Sequence, residues 1–370
     1  MNTPRILHSA CLLTPPSGML QQMQLEQEAA TALNLPWRTV MYRPELPGQT
    51  PTAIEQVDHG IRHSSSAPTW LKMRNWLALR RRYHDWLLQQ DCDIHVLRHY
   101  VHDPWQLAFI RRCRKPVWLL HHSFEVPELA LPGTAGARVR AALEQWLGRR
   151  SISAAHGLIG VTPELAAYEQ ARGGRSQQPA WIYPNGYATD SGPLYDTRRP
   201  KHIELLFVAS DFYAWHGLDL VLAAAAACPR PFTLHLVGRL SPAQQSQAAA
   251  DSRIRLHGLL DKPAIDTLAQ QCWLGLSSFA LFRKNMIQAC TLKVREYLSQ
   301  GLPVYSGHAD VFPPDFSYYR HGPADMDAIL DYAQSLRSVS REQVREAAAP
   351  LIDKSRLLQQ LYQSLSQNHA

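Results

Sequence analysis

The segment Thr291-Leu-Lys-Val-Arg-Glu-Tyr-Leu-Ser-Gln-Gly-Leu-Pro-Val304 carries residue types at spacings suited to chemistry. It reads as a helix with Thr291 as N-cap and Gly301 as stop, followed by a strand. A helix start offers unpaired backbone N–H groups and the positive end of a dipole, and both suit a phosphate. Lys293 falls in the first turn, where a cation is unfavourable unless an anion offsets it. Glu296 lies about one turn further on. An ordinary helix with a surface Lys–Glu pair would carry the same residues. A second candidate is Leu119-Leu120-His121-His122-Ser123-Phe124-Glu125, a strand running into a loop. His121 or His122 would contact substrate there, or would be packed or surface histidines. Glu125 and Glu128 follow, where they would bind hydroxyls or serve one as general base. Gly18, in Pro15-Pro-Ser-Gly18, would let backbone approach a ligand or would make a plain tight turn. The stretch 70–88 is basic, aromatic and helical in pattern. It suits an anionic membrane surface or a core-packed helix with one solvated edge.

These residues need elements to hold them. Short apolar runs alternate with longer amphipathic stretches, the pattern of parallel sheets flanked by helices. Strands are expected at 6–13, 39–42, 94–97, 117–120, 158–161 and 181–183. Helices are expected near 19–34, 70–89, 104–113, 137–150 and 163–171, with 44–68 as a long loop. The pattern restarts with strands at 203–208, 233–237, 254–257, 274–276 and 303–305. Helices near 217–227, 242–251, 263–272, 292–300 and 323–336 separate them. Two such arrays predict an α/β protein of two doubly wound, Rossmann-like domains, 1–185 and 186–345, facing a central cleft. A helical tail, 346–370, would pack back toward the first, with Pro350 as a break. The boundary falls in 184–200. Ligands of such sheets bind at the carboxyl ends of the strands.

A chain of 370 residues with 45% hydrophobic and 19% charged residues has a globular composition. Residues 1–185 hold 20 basic and 14 acidic side chains, and the remainder hold 18 and 17. The surplus therefore belongs to the first half and suggests an anionic partner there. No apolar run reaches the roughly 18–20 residues needed to span a bilayer, and the N-terminal stretch does not read as a signal peptide. Six scattered cysteines without a CxxC pair argue against a zinc ribbon or disulfide framework and fit a cytoplasmic setting. No recognised nucleic-acid module accompanies the charge.

The 291–304 segment resembles the donor-binding helix of retaining glycosyltransferases of family 4, which have the GT-B fold. Glu296 and Gly301-Leu-Pro-Val304 match the second half of that family's signature. The word Leu292 to Tyr297 matches one subset of the family throughout. Further resemblances follow in order: Ile159-Gly-Val-Thr162, Tyr183-Pro-Asn-Gly186, Leu206-Phe-Val-Ala-Ser210 with Trp215-His-Gly-Leu-Asp219, Leu234-His-Leu-Val-Gly238, and His257-Gly258-Leu259-Leu. The likeness implies that Glu296 accepts from ribose hydroxyls and that amides near Thr291 and Leu292 hold a diphosphate. Gly238, Gly258 and Leu259 would line the nucleotide. His121 or His122 would lie near the donor sugar.

Two departures stand out. The family's first Glu falls on Gln288, which can hydrogen-bond but supplies no charge. The family's Arg and Lys that neutralise the diphosphate fall on Ser210 and His216, and His216 is expected to be only partly charged. Lys284 and Lys293, with Arg283 and His216, are expected to replace that pair. The resulting expectation is a metal-independent hexosyltransferase with no cofactor, its donor a nucleotide-diphosphate sugar. The acceptor would be a glycan or lipid-linked sugar held by the first domain, with an anionic membrane surface as a further partner. The expected setting is the cytoplasm or the cytoplasmic face of a membrane. The alternatives are an inverting GT-B transferase, a sugar-nucleotide epimerase, or a degenerate GT-B scaffold subunit.

Overall fold

A computed structural model describes residues 3–189 and 202–367. The chain divides into two compact units, Met1–Pro184 with Lys354–Ala370, and Asn185–Asp353. Most of the expected boundary segment, 190–200, lies outside the described residues.

The first unit runs β1 (Ile6–Cys11), α1 (Ser17–Ala32), β2 (Trp37–Glu45), β3 (Glu55–Arg62), α2 (Thr69–Leu88) and β4 (Ile94–Arg98). It continues with α3 (Pro104–Arg112), β5 (Val117–His121), α4 (Glu125–Ala130), α5 (Ala135–Ala154), β6 (Gly157–Gly160), α6 (Pro163–Gly173) and β7 (Ala180–Ile182). The strands pair in parallel in the order β3-β2-β1-β4-β5-β6-β7. Side chains alternate between sheet faces along each strand. Ile6, Val96, Trp118 and Leu120 share a core with Ala29 and Ala30 of α1. Leu7, Leu97 and Leu119 share another with Leu79 and Tyr83 of α2, Phe109 of α3 and Ile152 of α5.

The second unit contains β8 (Glu204–Asp211), α7 (Leu218–Ala227), β9 (Thr233–Arg239), α8 (Pro242–Ala249), β10 (Ile254–Gly258) and α9 (Lys262–Gln271). After these come β11 (Leu274–Ser277), α10 (Leu292–Ser299), β12 (Val304–Ser306), β13 (Tyr319–His321), α11 (Met326–Ser335) and α12 (Arg341–Ile352). Its parallel sheet has the order β10-β9-β8-β11-β12-β13. The last helix, α13 (Lys354–Gln367), belongs to the first unit and places Leu357, Leu358, Leu361, Tyr362 and Leu365 in the core beside α1.

Four elements differ from the sequence expectation, one of them α4, which occupies the segment read as a loop after β5. The 44–68 loop contains β3, whose residues Glu-Gln-Val-Asp-His-Gly-Ile-Arg lack apolar alternation because β3 is an edge strand with one neighbour. The short strand β13 is also an edge. Pro350 lies inside α12, and the break falls after Ile352. There the Ile352 carbonyl accepts from Tyr187 N at 2.8 Å instead of continuing the helix.

Candidate functional site

In the second sheet the connections reverse direction between β8 and β11, and open α/β sheets bind ligands at the carboxyl ends beside such a reversal. The loop after β8 and the loop after β11 are joined there. Phe279 N donates to the His216 carbonyl at 2.9 Å and Ala280 N to the Trp215 carbonyl at 3.2 Å. Gly217 makes this approach possible. Its φ is +69°, and a Cβ would lie 3.0 Å from Ala280 N.

The junction gathers His216, Trp215 and Lys284. The Lys284 ammonium lies 4.6 Å from the Trp215 ring centre, a cation–π contact. His216 Nδ1 accepts from Tyr213 N at 3.0 Å, which fixes Nε2 as the protonated nitrogen. Burial, with Lys284 nearby, pulls His216 down to about 4. The expectation of a partly charged imidazole is thus corrected: near neutral pH His216 is an uncharged N–H donor.

The N-terminus of α10 sits at the carboxyl end of β11. Thr291 supplies no side-chain cap to the helix. Its hydroxyl lies 3.4 Å from the Ser277 hydroxyl instead. The first-turn amides, from Leu292 onward, therefore have no capping side chain, the condition under which a helix start receives an anion. Two inward contacts fix the helix. Tyr297 OH accepts from Val208 N on β8 at 3.1 Å. The fully buried Arg295 pairs with both oxygens of Asp310 and donates to the Asn185 carbonyl at 3.1 Å. Glu296 is buried with its carboxylate held by Lys293 at 2.6 Å and Lys262 at 3.4 Å.

The other expected donor residues divide. Ser210 is exposed at the end of β8. Gly238 has φ +137°, and a Cβ there would lie 1.7 Å from the Ala209 carbonyl oxygen, so this glycine admits the irregular end of β8. Gly258 has open space around it, and Leu259 beside it is 56% exposed at the end of edge strand β10. Gln288 forms an isolated parallel bridge with Ala309. Arg283 is not gathered with Lys284. It pairs with Asp219 at 2.7 and 3.0 Å and donates to the Ala214 carbonyl.

In the first unit, His121 and His122 point to different surroundings, as the strand period of two requires. His121 stacks on His99 at 4.5 Å and lies 2.9 Å from Glu125 through Nδ1. Arg172 bonds Glu125 and Glu144 at 3.1 Å each and Glu169 at 2.6 Å. His99 contacts Glu144 at 3.0 Å and accepts from Gln106 at 2.9 Å. One guanidinium thus faces three buried carboxylates. Burial and the Glu125 charge raise Glu169 well above the usual carboxylate range, against the pull of Arg172. Burial pulls His121 down to about 4 despite Glu125. His99, His121 and Glu125 have the ligand types and proximity of a metal trio. Arg172 already occupies Glu125 and both His99 nitrogens are engaged, so of the trio His121 Nε2 alone is left without a partner and most of the donor set is spent on hydrogen bonds. Glu125 is therefore a member of a packed network rather than a carboxylate presented to an acceptor. Gly18 lies in the first turn of α1.

Sequence reasoning missed Arg98, Glu144, Glu169, Arg172, Ser277, Arg295 and Asp310. Only Arg295 carried a signal, a charged residue in an otherwise inward position of α10.

No protein-family model matches the chain, and no curated protein sequence does. Solved structures match over nearly its whole length. Sucrose-phosphate synthase from Thermosynechococcus elongatus has a TM-score of 0.70 at 16% identity, over 98% of this chain and 99% of that one. The catalytic domain of Arabidopsis thaliana starch synthase IV, bound to ADP and acarbose, gives 0.65 at 12% identity over 100% and 99%. Anabaena HepE in complex with UDP and glucose gives 0.60 at 15% identity over 98% and 100%. Together with two parallel sheets and a returning last helix, these likenesses establish the fold as GT-B.

Proposed function

We propose, from the GT-B fold as premise, that the chain transfers a sugar from a nucleoside-diphosphate sugar to an acceptor hydroxyl. The observation that carries this reading is the convergence at the β8–β11 reversal of an uncapped helix start, Lys284 and the His216 Nε2–H donor. All three supply positive potential where a leaving diphosphate gains negative charge. Glu296 would accept from the ribose, with Lys293 and Lys262 orienting its carboxylate. Gln288 would bond the sugar, and Gly258 with Leu259 would meet the base.

By resemblance to the family 4 enzymes the anomeric configuration is retained. The bond from the anomeric carbon to the diphosphate oxygen breaks, the bond to the acceptor oxygen forms, and the acceptor proton passes to the leaving diphosphate. The positive groups named here belong to the protein, and the proposed reaction uses no metal or other cofactor. The acceptor is assigned to the first unit as a glycan or lipid-linked sugar. The cytoplasm is the proposed setting, in keeping with six free cysteines. Among the described residues no helix is long and apolar enough to cross a membrane.

Gln288 and Ser210 favour one rival, a sugar-nucleotide-binding scaffold without turnover. Calorimetry with UDP, ADP and GDP, followed by chromatography of their sugars with acceptor extract, separates the readings. Binding with transfer, and an α-linked product from an α-linked donor by NMR, is expected. Binding without release of nucleoside diphosphate would select the scaffold, and no binding would remove both.

A further inference from the structure

Arg98 ends β4, and its register partner on β5 is Leu120. It therefore stands on the same sheet face as Val96 and Leu120, the face packed by α1 and α13. The side chain is half-buried, at the rim of the sheet. His122 follows β5 by one residue, on that side. Among the described residues Arg98 makes no hydrogen bond or ion pair. The fully buried arginines of this unit all do: Arg43 pairs with Glu55, Arg80 with Asp103, and Arg172 with three carboxylates. Burial pulls the Arg98 guanidinium down to about 10 against a weaker pull from Glu125, which leaves it charged at neutral pH. His122 Nε2 is buried and has no partner. Burial depresses its basicity, and the nearby charges of Arg98 and Lys354 add to the effect.

The neighbouring charges are otherwise satisfied. Glu26 accepts from His8 at 2.5 Å, Trp37 at 2.9 Å and Tyr183 at 2.9 Å, with Lys354 at 3.6 Å. Glu125 is held by Arg172 and His121. The other cations thus have their anion in contact, while Arg98 has none and the uncharged His122 leaves Nε2 unpaired. A half-buried charge with no counter-ion in the chain is a ready partner for an anion supplied from outside it.

We propose that Arg98 and His122 form an oxyanion-binding site at the carboxyl ends of β4 and β5, taking a phosphate monoester. The guanidinium presents parallel N–H groups to two phosphate oxygens, and the neutral His122 donates a third bond through Nε2. The start of α1 opens from the same end of the sheet without a side-chain cap, and its dipole favours the same charge. The phosphate belongs to the second substrate. That assignment rests on the transferase reading, whereas the anion site does not.

The test compares the full chain with Arg98→Met and His122→Leu by thermal shift and calorimetry. The probes are inorganic phosphate, a hexose 6-phosphate and UDP, each against chloride at equal ionic strength. Phosphate and the hexose phosphate are expected to raise the Tm of the natural chain. Arg98→Met should weaken both by roughly 10- to 100-fold, leave UDP binding unchanged, and match or exceed the natural Tm in chloride. His122→Leu should show a smaller loss of the same kind. Equal phosphate binding by Arg98→Met, or a fall in its Tm in chloride, would overturn the site. Parallel loss of UDP would assign the anion to the donor and overturn its place on the second substrate. Phosphate binding without any nucleotide binding would leave this site standing and remove the transferase reading.

Discussion

At the scale of single residues, Glu296 carries the sharpest consequence. Its carboxylate is buried and held between Lys293 and Lys262, so its removal changes two things at once. A ribose loses an acceptor, and two ammonium groups lose their counter-charge. Glu296→Gln is expected to weaken binding of the cognate nucleoside diphosphate by roughly tenfold and to leave inorganic pyrophosphate binding equal or tighter. Calorimetry with both ligands checks this, and an equal loss for both would mean that Glu296 acts on the diphosphate. The chemistry around α10 was legible because helix signals and motif residues are local in sequence. The networks of Arg172 and Arg295 were not. Arg172 reaches Glu125 across 47 residues and Arg295 reaches Asp310 across 15, and only the folded register of strands and loops brings them together.

At the scale of elements, the aromatic basic helix of the sequence is only partly a surface. In α2, Trp76 meets Trp105 and Tyr100, Trp86 meets Tyr42, and Arg80 is sealed against Asp103. Its exposed remainder includes Trp70, Met73 and Leu77. A second helix carries a cleaner stripe that periodicity did not reveal. Val139, Leu143 and Trp146 of α5 are exposed at helical spacing, with Arg150 stacked on Trp146 at 4.0 Å. If the first unit binds anionic membrane, α5 offers a face where apolar and cationic side chains meet, as Trp70 and Arg74 do on α2. Leu143→Ser with Trp146→Ser is expected to reduce cosedimentation with phosphatidylglycerol vesicles at low salt by severalfold. Trp76→Ser would test folding instead. Unchanged cosedimentation would leave α5 an ordinary solvated helix. Most strands were readable as apolar runs. Strand β3 was not, because an edge with one neighbour has little reason to be apolar.

At the scale of the whole molecule, three buried histidines and the half-buried His216 set the pH response. Burial lowers His84, His95, His121 and His216 to about 4 each. In the unfolded chain they bind protons near about 6.5. The unfolded state therefore gains protons first as pH falls, and stability is lost between about 6.5 and about 4. Glu169, raised by burial and by Glu125, works in the opposite direction, adding stability at low pH that fades as pH rises through its folded value. One carboxyl does not offset four imidazoles. Tm is expected to fall steadily from about pH 7 to about pH 5 in calorimetric scans, and a flat profile would contradict the burial of these rings.

The return of α13 gives the chain a particular order of assembly. Tyr362 OH donates to the Pro4 carbonyl, a bond spanning 358 residues. During synthesis, β1 and α1 emerge early with one side of their core open, and the whole second unit is made before Leu357 and Leu361 arrive to cover it. The unit that begins first is therefore finished last. Until then its apolar face needs shelter from other chains, by a chaperone or by speed.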